Sequence, residues 1–126
     1  MTQQDNGNCP TCHHMLIERG TRPEVAIIYL KPDEQNPSKF SIRVVMGYVG
    51  FSNQGRGGKG RITAVKPDRL DISPSHVVAA VHLSCVDMDK IRELPFIPAR
   101  RDMTISDVRK IAMQSVRRIL PAAVAA

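Results

Sequence analysis

From Phe40 the chain alternates: Phe40, Ile42, Val44, Met46 and Tyr48 occupy every second position, with Ser41, Arg43 and Gly47 among the residues between them. A period of two belongs to a strand with one face on a core, and it argues against a helix over the same span. Upstream, residues 25–30 form a continuous apolar run rich in β-branched side chains, the pattern of a buried strand. Pro32, Asp33, Asn36 and Pro37 mark the interval from 31 to 38 as a loop. Residues 61–65 are expected to pair back on the alternating strand, with Pro67 ending the run. The result is a small, largely antiparallel sheet.

Helices are expected later. Asp87 is placed to cap a short helix over Met88, Ile91 and Leu94, which Pro95 stops. Pro95 and Pro98 make a rigid connector. Thr104, with Asp107 three residues on, opens the clearest helix, over residues 105–120, as in a capping box. Its stripe of Ile105, Val108, Ile111, Ala112, Val116 and Ile119 is expected to cover the sheet. Residues 76–86 fit two patterns, since Ser75 suits a helix cap while Val77, Val78 and Val81 suit a strand. With 126 residues, 42% hydrophobic and 24% charged, the chain reads as one α+β domain with a C-terminal amphipathic helix packed on the sheet, able to bury a core without disulfides. Within it, residues 1–22 read as a zinc-knuckle segment, 23–120 as the core and 121–126 as a frayed tail. Residues 1–8 are polar with Asp5 their single charge, and no apolar run approaches membrane-spanning length, so a soluble, cytoplasmic protein is expected.

All three cysteines fall in two short pairs, Cys9-Pro-Thr-Cys12 and His82-Leu-Ser-Cys85. A two-residue spacing lets one tight turn aim two side chains at a metal, and two such turns complete the tetrahedral set of structural zinc. Cys9, Cys12, His82 and Cys85 are therefore the expected zinc ligands, a local staple on a domain with its own core. The alternatives are zinc on the first pair with other donors, His13 or His14 among them, and reduced thiols without metal. Cys9-Pro-Thr-Cys12-His13 also matches the attachment pattern of c-type haem, which needs an export signal that residues 1–8 do not supply. A thioredoxin-like pair should sit between a strand and a long helix, a context missing here. The Cys9–Cys12 turn followed by a short strand over residues 15–18 resembles the first knuckle of a zinc ribbon, with His13 where the ribbon carries glycine.

Charge is uneven. Residues 1–53 carry five cations and five carboxylates, so the whole formal net charge of +6 belongs to residues 54–126. Between the expected strands, residues 50–61 hold five glycines and the cations Arg56, Lys59 and Arg61. Glycine lets backbone amides approach a phosphate, and the cations add the charge that a polyanion requires. Gly55, Gly57 and Gly60 satisfy a dinucleotide fingerprint, but a strand follows instead of a helix. Lys59 precedes Gly60 and not a hydroxyl residue, which excludes a Walker loop. A basic hairpin tip remains, with Tyr48 and Phe51 at its base either stacking on bases or lying in the core. Arg100 and Arg101, followed by Arg109, Lys110, Arg117 and Arg118, form a second basic group. Arg109, Lys110, Arg117 and Arg118 are expected off the apolar stripe as one cationic, solvated face.

No nucleophile motif accompanies His13, His14 and His76, and a zinc ion with four protein ligands leaves no open position for water. The expected function is a non-enzymatic, zinc-stabilised binding protein that contacts nucleic acid or a nucleoprotein complex through Arg56, Lys59, Arg61, Tyr48, Phe51, Arg100 and Arg101. A protein-binding regulator or inhibitor of a host complex, such as an accessory factor of a mobile element, is the second reading. A small metalloenzyme with an open zinc site is the third.

Overall fold

The computed structural model describes residues 24–52, 61–67 and 72–120, with side chains described for 24–49 and 72–120. The expected strand at 15–18, the N-terminal knuckle, the loop tip at 53–60 and the tail lie outside these residues. The apolar run becomes β1, Val25–Pro32, and the alternating stretch becomes β2, Lys39–Ser52. The turn between them is built by side chains that copy backbone acceptors. Asp33 Oδ2 accepts from the Asn36 amide at 2.9 Å and Asn36 Oδ1 from the Ser38 amide at 3.1 Å, while the Asp33 amide donates to the Lys39 carbonyl at 3.0 Å. β3, Arg61–Pro67, returns along β2 as expected.

The ambiguous segment resolves as a strand. β4, Val77–His82, pairs antiparallel with β1, from Val25 opposite His82 to Tyr29 opposite Val77, with a bulge after Ile28. The cap at its entrance is Ser73, not Ser75, and it serves a short 3-10 turn over Pro74–His76. A second 3-10 turn, Leu83–Cys85, follows the strand. The sheet runs β3-β2-β1-β4, and a two-residue strand β5, Ile97–Pro98, pairs with Lys39 and Phe40 at the start of β2. The connector expected from Pro95 and Pro98 is thus a sheet element. Its position is tied to the β1–β2 turn by the Ala99 amide, which donates to Ser38 O at 2.6 Å.

Helix α1, Met88–Arg92, is capped by Asp87, whose Oδ1 accepts from the amides of Asp89 and Lys90. Helix α2, Ile105–Ile119, opens with the anticipated capping box: Thr104 Oγ1 accepts from the Asp107 amide at 3.2 Å, and Asp107 Oδ2 accepts from the Thr104 amide at 2.9 Å. Hydrogen bonding to the carboxyl from Thr104, its backbone amide first and its hydroxyl second, holds Asp107 below the usual carboxylate range.

Every side chain from Val25 to Ile28 and from Val77 to Val81 is buried, so β1 and β4 are covered on both faces. α2 lies against β4 and buries Val108, Ala112, Met113 and Val116. Two expectations about faces change. Ile111, placed on the stripe by spacing, is exposed, and Met113 is buried instead. The helix is turned so that its contact row runs 108–112–116 with 113 beside it, and Ile111 falls on the far margin. In β2 the buried alternation also shifts: Ile42 is in the core, but further on Gly47 and Val49 are buried while Met46 and Tyr48 face solvent. The shift occurs where β2 changes partner, since Gly47 is at once the last residue paired with β1 and the first paired with β3.

Candidate functional site

Among the proposed zinc ligands, His82 and Cys85 are described. The half-buried His82 ends β4, one turn of 3-10 helix follows, and Cys85 is buried at its end. A tight turn between donors two residues apart is the backbone form that a metal-binding pair requires. His82 stands in register with Val25, the first residue of β1. The chain bearing Cys9 and Cys12 therefore enters the sheet beside His82. Among the described residues no group of three or more His, Cys, Asp or Glu side chains is placed to hold a metal, and Cys9 and Cys12 lie outside those residues.

The Gly-rich segment connects the two strands of a hairpin, because Ser52 is in register with Arg61. β2 pairs with β1 only as far as Gly47, and its last five residues pair with β3 alone on the way to the tip. That is about 15 Å of strand at the usual rise per residue. A bulge after Gly50 sharpens the local twist. Tyr48 is exposed on this arm, in register with Lys66, and Arg56 and Lys59 lie outside the described residues.

The second basic group divides. Arg100 and Arg101 are exposed just after β5, at the opposite end of β2 from the tip, and Arg100 Nε lies 3.8 Å from Asp102 Oδ1. Lys110, Arg117 and Arg118 are exposed on α2. Arg109 does not share their face. It is half-buried, and its guanidinium donates to the Ser75 carbonyl at 3.0 Å, fastening α2 to the turn before β4.

The same turn holds His76, whose environment sequence patterning did not reveal. Its ring lies 6.3 Å from that of Phe40, and Nδ1 is 3.2 Å from Ser75 Oγ. It borders a cleft of about 240 Å³ with Tyr29, Lys31, Pro32, Ile72 and Ser73. Burial first and the Arg109 guanidinium second push its pKa below the ordinary value of 6.5. Apart from Ser75, Ser73 and Ile72, these contacts come from β1, β2 and α2, and nothing local marks them.

A depressed folded-state pKa means that the unfolded chain binds the His76 proton more readily. The corresponding stability is present above about pH 6.5 and is lost as the pH falls from there through the folded value. In urea titrations between pH 7.5 and 5, His76→Gln is expected to flatten part of the acid-side decline. Parallel curves for the two proteins would contradict this.

No protein-family model matches the chain, and no curated protein or solved structure matches it. No helix among the described residues is long and apolar enough to cross a membrane.

Proposed function

We propose that this is a small, non-enzymatic, zinc-stabilised binding protein whose β2–β3 hairpin contacts nucleic acid or a nucleoprotein complex. One observation carries the reading: residues 39–67, from the start of β2 to the end of β3, contain six cations and no carboxylate. Those cations are Lys39, Arg43, Arg56, Lys59, Arg61 and Lys66. Arg56, Lys59, Arg61 and Lys66 belong to the loop and β3, whereas Lys39 and Arg43 lie where β2 pairs with β5 and β1. A hairpin sequence with cations and no carboxylate suits a polyanion, whereas a merely soluble surface mixes both signs. Arg56, Lys59 and Arg61 would engage phosphates, with Tyr48 and Phe51 beside them. Arg100 and Arg101 would belong to a separate contact at the other end of β2. Cys9, Cys12, His82 and Cys85 would hold the zinc ion, whose part is to anchor the N-terminal segment near the start of β1.

Salt dependence tests the reading. Fluorescence anisotropy with labelled oligonucleotides should show affinity falling steeply between 50 and 200 mM salt. Changing Arg56, Lys59 and Arg61 together to alanine should reduce the logarithmic salt slope by about 2 for a single strand, at roughly 0.7 per lost phosphate contact. A complex with an apolar centre, as a protein-binding regulator would make, responds less to salt. An unchanged slope in the triple variant would remove the hairpin from the interface.

A further inference from the structure

Met46 and Tyr48 are exposed to 48% and 42%, and they stand two positions apart on one face of β2. Such a pair gains nothing for the core; Tyr48 sits on the arm paired with β3 alone, and Met46 just before it, opposite Ala26 of β1, on a hairpin whose sequence lacks carboxylates. We infer that this face binds single-stranded nucleic acid, with Tyr48 as the platform on which a base stacks. The inference rests on the nucleic-acid reading above and names its substrate class.

The argument is one of accessible surfaces. In a duplex the base faces are already stacked on one another, so an exposed ring on a sheet offers the duplex little and only the cations act. In a single strand each base has a free face, and a tyrosine supplies a rigid aromatic surface with few torsions to immobilise. Lys66 is the register partner of Tyr48 on the neighbouring strand, within one strand spacing of about 4.8 Å, so a cation position accompanies the stacking position. Met46, an adaptable thioether side chain, extends the apolar contact along the same face. Stacking is tolerant of base identity, so little sequence preference is expected from this contact.

The chain has two tyrosines and no tryptophan, so in a Tyr29→Phe background tyrosine emission reports on Tyr48. Titration with a 12-nucleotide single strand should quench that emission, whereas the same sequence as a duplex should quench it far less. In anisotropy measurements on the otherwise unmodified protein, Tyr48→Ala should weaken single-strand binding by about 5- to 150-fold. Tyr48→Phe should keep most of the affinity, and duplex binding should be unchanged in both variants. If single strands bind but Tyr48→Ala leaves them unaffected, or weakens duplex and single strand equally, the stacking inference is overturned while the nucleic-acid reading stands. If the unmodified protein binds neither form at low salt, both fall together.

Discussion

Replacing Ile28 with alanine is expected to lower the unfolding free energy by about 2–5 kcal/mol, a large share of the roughly 5–15 kcal/mol that a domain has in total. Ile28 has 0% exposure and lies on β1, which is held between β2 and β4 with Val44 and Ala79 in register on either side. Ladders on both edges fix those neighbours, so the walls of the void have little freedom to collapse. Ile111→Ala is the matched control. It removes the same atoms from a residue that spacing alone assigns to the core stripe, yet Ile111 is 39% exposed, and the change should stay within about 0.5 kcal/mol. Urea unfolding followed by far-UV circular dichroism measures both, with the midpoint moving and the m-value constant. Equal losses at the two positions would contradict the docking of α2, and a loss below about 1 kcal/mol at Ile28 would contradict two-sided burial of β1.

That comparison shows which structural signals are local. The run at 25–30, the alternation from Phe40, the Asp87 cap and the Thr104–Asp107 box are all written within a few residues, and each forms its element, although the helix capped by Asp87 ends at Arg92, before Leu94, and the alternation loses its buried face at Met46 and Tyr48. Ile111 and Met113 exchange places because the helix pattern sets the width of an apolar face, while the partner sheet sets its centre. Tyr48 leaves the expected buried face for a similar reason: the change of partner at Gly47 is a property of three strands, invisible in the alternation of one. β5 escapes detection because two residues carry no period, and its pairing with Lys39 and Phe40 joins segments nearly sixty residues apart. In the candidate site, composition picks out the hairpin tip, and the return strand that makes it a tip is legible from residues 61–65. The contacts of His76 with Phe40 and of Arg109 with Ser75 are tertiary. Spacing proposes His82 and Cys85 as a pair, but their neighbour in register, Val25, emerges only from the β1–β4 ladder.

Purified protein is expected to carry about one zinc ion per chain, and Cys12→Ser and Cys85→Ser should each lose most of it. Only thirteen residues lead from Cys12 to Val25, and Val25 is paired with His82, so the N-terminal thiols belong to a segment that enters the sheet next to the second donor pair. Fully extended, that length spans about 43 Å, which leaves ample slack for the two turns to meet. Loss of one thiolate from a four-ligand site should cost more than the roughly 10- to 100-fold in affinity that follows loss of an outer-shell partner. The ion should also leave as the pH falls, because thiolates and imidazole must be deprotonated to bind. Chelation should nevertheless preserve most of the far-UV spectrum, since Ile27, Ile28, Val108 and Val116 are packed in a core made by β1, β4 and α2. Elemental analysis before and after chelation, repeated on His82→Gln and on the double change of His13 and His14 to Gln, assigns the donors. Zinc lost from the His13 and His14 variant but kept in His82→Gln and Cys85→Ser would confine the site to the N-terminal segment, and protein purified without zinc would remove the metal altogether. Zinc lost from Cys12→Ser, His82→Gln and Cys85→Ser alike requires one ion shared by both turns, which makes the staple a long-range tie between the N-terminal segment and the end of β4.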